Sequence, residues 1–190
     1  AYDDVLKGPR AIKVLKPDLS VRTDVRARFR TEAIAMSKLN HPGIVRVFDQ
    51  GNEALTTFIV MEYLPAGSLH RWMGRNGPLG VEVALSACLD VADALAHAHD
   101  QGVIHRDIKP DNLLIGPDSV KLTDFGLARV AMADGGLTRT QATFGTPSFM
   151  PPEQRIDGKK TTARSDIYAL CASLLVLLTG RDPIDIYDPD

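Results

Sequence analysis

The chemistry of this chain is concentrated in one stretch, Val103-Ile104-His105-Arg106-Asp107-Ile108-Lys109-Pro110-Asp111-Asn112-Leu113-Leu114-Ile115. Charged and amide side chains stand between two apolar runs, so the backbone leaves the core, surfaces for one polar loop and returns. Further on, Lys121-Leu122-Thr123-Asp124-Phe125-Gly126 ends a short apolar strand on an acid. Asp107, Lys109, Asn112 and Asp124 together offer a proton acceptor, a cation and two oxygen ligands for a hard divalent metal. Phosphoryl transfer needs such a set, because charge spreads over the transferred oxygens and a metal ion must bridge the phosphates.

Those side chains need elements to hold them. Arg10 to Leu15 reads as a short buried strand with Lys13 in its middle. Thr23 to Leu39 has helical periodicity, with Val25, Phe29, Ala33, Met36 and Leu39 on one stripe, and Asn40-His41-Pro42-Gly43 ends it. Glu32 falls on that stripe, so a carboxylate points at the core and requires a partner. Strands are predicted over 44–48 and 57–63, joined by a polar turn over 49–53. Pro65-Ala66-Gly67 then separates a strand-rich part from a helical one. Leu79 to Asp100 reads as a long helix with Leu85, Cys88, Ala92, Leu95 and His99 on its stripe. Two short strands, 113–115 and 120–122, follow the polar loop. The segment from Asp124 to Glu153 has no periodicity, and loops of that length are usually functional or disordered. A final helix, Ser165 to Thr179, is apolar on every face and must be buried.

Composition excludes several classes. At 190 residues with 44% hydrophobic and 24% charged residues the chain is globular rather than disordered or fibrous. A net charge of −2 offers no electrostatic hold on a nucleic-acid backbone. Cys88 and Cys171, far apart in sequence with no C-x-x-C, predict neither a disulfide scaffold nor a zinc site, which fits a reducing, cytoplasmic setting. The longest apolar stretch, residues 167–178, is too short for a bilayer span of ~20 residues. The N-terminus reads as no signal peptide, and both ends read as cut, so a fragment of a longer protein is expected.

His105 through Asn112 and Asp124-Phe125-Gly126 resemble the catalytic loop and metal-binding motif of eukaryotic-type (Hanks-type) protein kinases, in the bacterial serine/threonine branch. The resemblance runs along essentially the whole chain. Ala11-Ile12-Lys13 resembles the strand of the phosphate-binding lysine, Val60-Met61-Glu62-Tyr63-Leu64 the hinge between lobes, and Phe149-Met150-Pro151-Pro152-Glu153 the end of the activation segment. Asp166-Ile167-Tyr168 resembles the start of the buried central helix. The resemblance implies an α+β, two-lobed fold, with residues 1–64 in a strand-rich N-lobe and 65–190 in a mainly helical C-lobe, both incomplete.

It also implies an ATP-dependent serine/threonine kinase with Mg²⁺ or Mn²⁺. Asp107 would be the catalytic base and Lys109 would neutralise the γ-phosphate. Asn112 and Asp124 would ligate the metal, and Lys13, oriented by Glu32, would hold the α- and β-phosphates. Met61 would guard the nucleotide pocket, the backbone of Glu62 and Leu64 would bind adenine, and Leu114 would line the same pocket. Thr146 would select a hydroxyl substrate, while Thr138 and Thr140 would take activating phosphates, their anions answering the positive Arg106. Asp111 and His105 are expected to be structural, the latter packing beside Phe125. His97 and His99 are read as core or surface, without a metal role.

Protein substrates bearing Ser or Thr acceptors would be the partners, with self-association open for autophosphorylation in trans, and a membrane anchor outside this chain would be compatible. The chain departs from the pattern in lacking a glycine-rich phosphate loop, in Pro151 where Ala is usual, and in Cys171 where Gly is usual. The arginine that usually pairs with Glu153 would lie beyond Asp190. Two other readings compete with this one. A catalytically silent kinase-like scaffold is disfavoured because Lys13, Glu32, Asp107, Asn112 and Asp124 are all intact. A small-molecule phosphotransferase of the aminoglycoside-kinase type is disfavoured by Lys109-Pro110 and the Gly145 to Glu153 segment.

Overall fold

The computed structural model describes residues 1–5, 7–15, 23–53, 56–125, 147–157 and 160–183, with only the backbone of Asp24, Arg28, Glu32 and Pro147. Strands β1 (Tyr2–Asp3), β2 (Gly8–Val14), β3 (Val47–Glu53) and β4 (Thr56–Glu62) form an antiparallel sheet in the order β1-β2-β4-β3. Helix α1 (Thr23–Lys38) packs on it. All five residues of its expected stripe, Val25, Phe29, Ala33, Met36 and Leu39, are buried.

Two expectations for the sheet need correction. Residues 49–53 are not a turn but the second half of β3, and the strand begins at Val47 rather than at Ile44. β3 is an edge strand with a register shift between Val47 and Asp49, and an exposed edge accepts polar residues that a central strand would not. In β2 the usual polarity is inverted: Ile12 and Val14 are exposed, whereas Lys13 lies on the less exposed side of the strand.

The helical part contains α2 (Leu69–Asn76), α3 (Val81–Asp100), α4 (Pro152–Ile156) and α5 (Ala163–Thr179). Helix α2 was not anticipated from the sequence. Ser68 caps it, accepting the Arg71 N–H at 3.2 Å. In α3 the buried face is Ala84, Ala87, Val91, Ala94, Leu95 and Ala98; of the expected stripe Leu95 is buried and Cys88 and Ala92 pack partly against the core, whereas Leu85 is exposed, as is Leu89 at 71%. The small side chains admit close approach of α5, and the larger aliphatics fall on the outer face. Helix α5 is likewise only partly buried, with Ile167 and Cys171 exposed. Both cysteines are free, and the Cys88 thiol is pushed up to about 11, first by burial and then by Cys171.

Between α3 and α4 a short hairpin, β5 (Leu113–Ile115) with β6 (Val120–Leu122), lies where the sequence places it. It ties the two parts together. Val45 N–H donates to Leu122 O at 2.9 Å, and Leu122 N–H donates to Gly43 O at 2.7 Å. The hydrophobic clusters follow the same join: Met36, Leu39 and Ile44 pack with α3 and α5, while Val25, Phe29, Ala33, Val45, Ile59 and Met61 fill the sheet side.

Candidate active site

The site is built outward from His105. Its ring is wholly buried against Phe125, with centroids 4.5 Å apart. Nδ1 lies 3.2 Å from the Asp107 N–H and Nε2 lies 2.9 Å from Thr123 O. That pattern fits the neutral ring with its proton on Nε2, and burial holds the imidazole below its ordinary pKa. His105 therefore acts as a brace between two chain segments, as expected.

Asp166, 1% exposed in the first turn of α5, fixes the next residue. Its carboxylate accepts the His105 N–H at 2.8 Å and the Arg106 N–H at 2.8 Å, and lies 2.8 Å from His99 Nε2. Gln154 Nε2 donates to the Arg106 carbonyl at 3.0 Å. Both sides of the Arg106 peptide are thus held, which sustains its left-handed φ of 69°. Such a conformation costs a side-chain-bearing residue on the order of 1–3 kcal/mol and persists only where the surroundings over-determine it. The Arg106 Nε is buried without a hydrogen-bond partner among the described residues, and burial lowers the pKa of its guanidinium.

Asp107 leaves this braced segment towards Asn112. The Asn112 amide donates to Asp107 O at 2.7 Å and to Asp107 Oδ2 at 3.1 Å, and Lys109 Nζ lies 3.4 Å from the same Oδ2. The Asn112 carbonyl accepts the Thr123 N–H at 3.0 Å, which sets the residue after Thr123 beside the loop. That residue is Asp124, with φ 58°, a conformation Asp tolerates better than most. Its Oδ1 lies 2.9 Å from Lys13 Nζ. Asp107 and Asp124 both lie near enough to His105 for their charges to favour its protonated form. The loop acid, the strand-end acid and the β2 lysine therefore share one region.

Two hard oxygen donors remain for a cation. Asn112 turns its Nδ2 to Asp107 and keeps Oδ1, and Asp124 brings a carboxylate. Among the described residues no group of three His, Cys, Asp or Glu could hold a metal alone. Asn112 and Asp124 are the oxygen donors that would hold a hard divalent cation there.

The expected hinge residues border the region. Met61 is buried between β2 and β3, and Leu64, Leu114 and Ala11 pack against the sheet-side cluster. Glu62 has a side-chain role that sequence reasoning missed: Oε1 accepts from Lys121 Nζ at 2.7 Å and Oε2 from the Arg46 N–H at 3.3 Å. Asp111 turns towards His70 instead, 3.9 Å away. The Glu32 side chain and Thr138, Thr140 and Thr146 lie outside the described residues.

Asp166 and His99 were the larger omission. The signal was present, since an acid in an apolar helix is buried only with partners. His97, read as core or surface, stacks on His41 with centroids 5.1 Å apart. Glu153, deprived of an arginine partner in the sequence reading, accepts from Ser165 Oγ at 2.7 Å, and that bond holds its carboxyl below the usual range.

Residues 5–188 match the protein kinase domain. The chain is 41% identical over 186 residues to the serine/threonine-protein kinase PrkC of Bacillus subtilis, covering 97% of this chain and 28% of that protein. To PknB of Mycobacterium leprae it is 40% identical over 189 residues, covering 96% of this chain and 30% of that protein. The chain thus spans under a third of the length of these two relatives. Among solved structures, the Mycobacterium tuberculosis PknI kinase domain matches with a TM-score of 0.75 and 29% identity, over 93% of this chain and 64% of that one. Rad53 1–466 in complex with AMP-PNP matches with a TM-score of 0.73 and 28% identity, over 94% of this chain and 43% of that one. With a family match along nearly its whole length and kinase-like folds at this similarity, the chain belongs to the protein kinase domain family.

Proposed function

We propose that this chain is the catalytic portion of a serine/threonine protein kinase that transfers the γ-phosphoryl group of ATP to protein hydroxyls. The carrying observation is the convergence of Lys13 on Asp124 at 2.9 Å with the Asp107–Asn112 contact at 3.1 Å, joined by the Thr123–Asn112 backbone bond. ATP with Mg²⁺ or Mn²⁺ supplies the phosphoryl group and the counter-charge. Lys13 positions the α- and β-phosphates, with Glu32 orienting it. Asn112 and Asp124 hold the metal. Asp107 accepts a hydrogen bond from the acceptor hydroxyl and takes its proton, while Lys109, 3.4 Å from that carboxylate, steadies negative charge on the transferred oxygens. Thr146 selects the hydroxyl. Met61, Leu64, Leu114 and the backbone of Glu62 enclose adenine.

Both relatives are serine/threonine-protein kinases, which favours Ser/Thr over other acceptors. The unpartnered buried Nε of Arg106 favours an anion supplied by phosphorylation of Thr138 or Thr140, in trans between associating copies. Among the described residues no helix is long and apolar enough to cross a membrane. We place this portion in the cytoplasm, where ATP is supplied. The lobe division at residues 64/65 sets the nucleotide between Lys13 and Asp124.

The test is transfer of labelled γ-phosphate to a serine-containing protein. Asp107→Asn should lower kcat about 10²–10³-fold with little change in ATP affinity. A variant as fast as the native chain would refute the assignment of Asp107.

A further inference from the structure

Cys88 and Cys171, the only cysteines of the chain, stand on the two long helices of the helical part. Two contacts set how those helices run past each other. His99 Nε2 meets Asp166 Oδ2 at 2.8 Å, and the Leu79 N–H donates to Leu177 O at 2.8 Å. Helices α3 and α5 are therefore antiparallel. Cys88 stands next to the midpoint of the span from Leu79 to His99, and Cys171 next to the midpoint of the span from Asp166 to Leu177. The two cysteines thus fall level along the helix pair. The helices meet with small side chains in their buried faces, Ala84 and Ala87 on α3 and Ala169 and Ala172 on α5. Such residues let helix axes approach to the short end of the ~8–10 Å range, at which facing residues at one level come within the ~7 Å between Cα atoms that a disulfide spans.

The surroundings give the two thiols different tasks. Both are free. Cys88 is half-buried and packs against the main core cluster, and its thiol is pushed up to about 11, first by burial and then by the charge of Cys171. Cys171 is exposed, so a dissolved oxidant meets it first. Oxidation of Cys171 removes its negative charge, and with it the second of the two causes that keep Cys88 protonated.

We propose that Cys88 and Cys171 form a reversible oxidation site at which hydrogen peroxide closes a disulfide that ties α3 to α5 and stiffens the helical part. The Cys171 thiolate attacks one peroxide oxygen, the O–O bond breaks, hydroxide leaves as water, and Cys171 becomes a sulfenic acid. The Cys88 thiolate then attacks the Cys171 sulfur, the S–O bond breaks, and a second water leaves. Two thiols and one peroxide give one disulfide and two waters, the sulfurs losing the two electrons that the peroxide oxygens gain. A thiol reductant restores both thiols by exchange. The bond closes a ring over residues 88–171, which takes in the loop from His105 to Asn112 and its anchor Asp166. A crosslink over so long a loop restricts the unfolded chain more than the folded one.

The full chain, reduced and then treated with a small excess of hydrogen peroxide, should lose the mass of two hydrogens and yield a tryptic peptide pair joined through Cys88 and Cys171. Its urea midpoint should rise, and dithiothreitol should return both mass and midpoint. These readings need no variant. Cys171→Ser, a change at an exposed position, should abolish both the linked pair and the rise in midpoint. Oxygen added to either cysteine without a link, a bond joining Cys171 of two chains, or an oxidised form no harder to unfold than the reduced one would overturn the proposal.

Discussion

Lys13 Nζ stands 2.9 Å from Asp124 Oδ1, so a residue of β2 and a residue just past β6 meet although they are far apart in sequence. Both side chains are about a third exposed, so solvent screens the pair and it adds at most about 1 kcal/mol to stability. Its worth lies in position. Lys13→Met should cut kcat/KM for ATP-dependent transfer by about 10²–10³-fold while leaving the urea midpoint nearly unchanged. A large loss of stability without loss of rate would reverse that assignment.

Asp166 should behave oppositely. Its carboxylate accepts two backbone N–H groups and contacts His99 from a fully buried position. Asp166→Asn replaces one acceptor oxygen with a donor facing donors, and should cost about 2–4 kcal/mol in denaturant unfolding. Activity should fall as well, because the Arg106 backbone loses its anchor.

Acid should destabilise the fold through His105. Burial keeps its folded pKa below the ordinary 6.5. Below that pH the unfolded chain binds a proton that the folded chain refuses, so stability falls as pH drops, by up to about 1.4 kcal/mol per pH unit. Urea titrations between pH 6.5 and about pH 5 should show the decline, and His105→Gln should start lower but fall less steeply.

The Arg106 site predicts its own switch. Thr138→Ala with Thr140→Ala should lower transfer about tenfold, and mass spectrometry of the active protein should find phosphate on one or both threonines. Phosphate confined to other positions, with the double variant unimpaired, would separate Arg106 from regulation.

Much of this was legible from the residues. The five apolar residues of the α1 stripe are buried as expected, and β5 and β6 span the residues that the sequence assigned to two short strands. The loop from His105 to Asn112 is legible because polar types there are dense and their order is specific. What failed did so for reasons of context. The polarity of residues 49–53 looked like a turn because an edge strand and a turn share the same residue types. The face of α3 was legible only in part, at Leu95, because large aliphatics carry the hydrophobic signal while alanines carry most of the close packing. The partners of Asp166 came from another helix and another loop, and no local pattern encodes a contact across 61 positions.

The two backbone bonds of Leu122, to Gly43 and Val45, have a mechanical meaning. With the Glu62–Lys121 ion pair, they clamp β6 to the chain entering β3 and to the end of β4, so the short hairpin is splinted by the sheet. Asp124 leaves that splinted strand two residues after Leu122, and its carboxylate meets Lys13 from an anchored origin. A change that loosened the splint, such as Lys121→Ala, would be felt as a displaced acid at the site rather than as a lost surface charge.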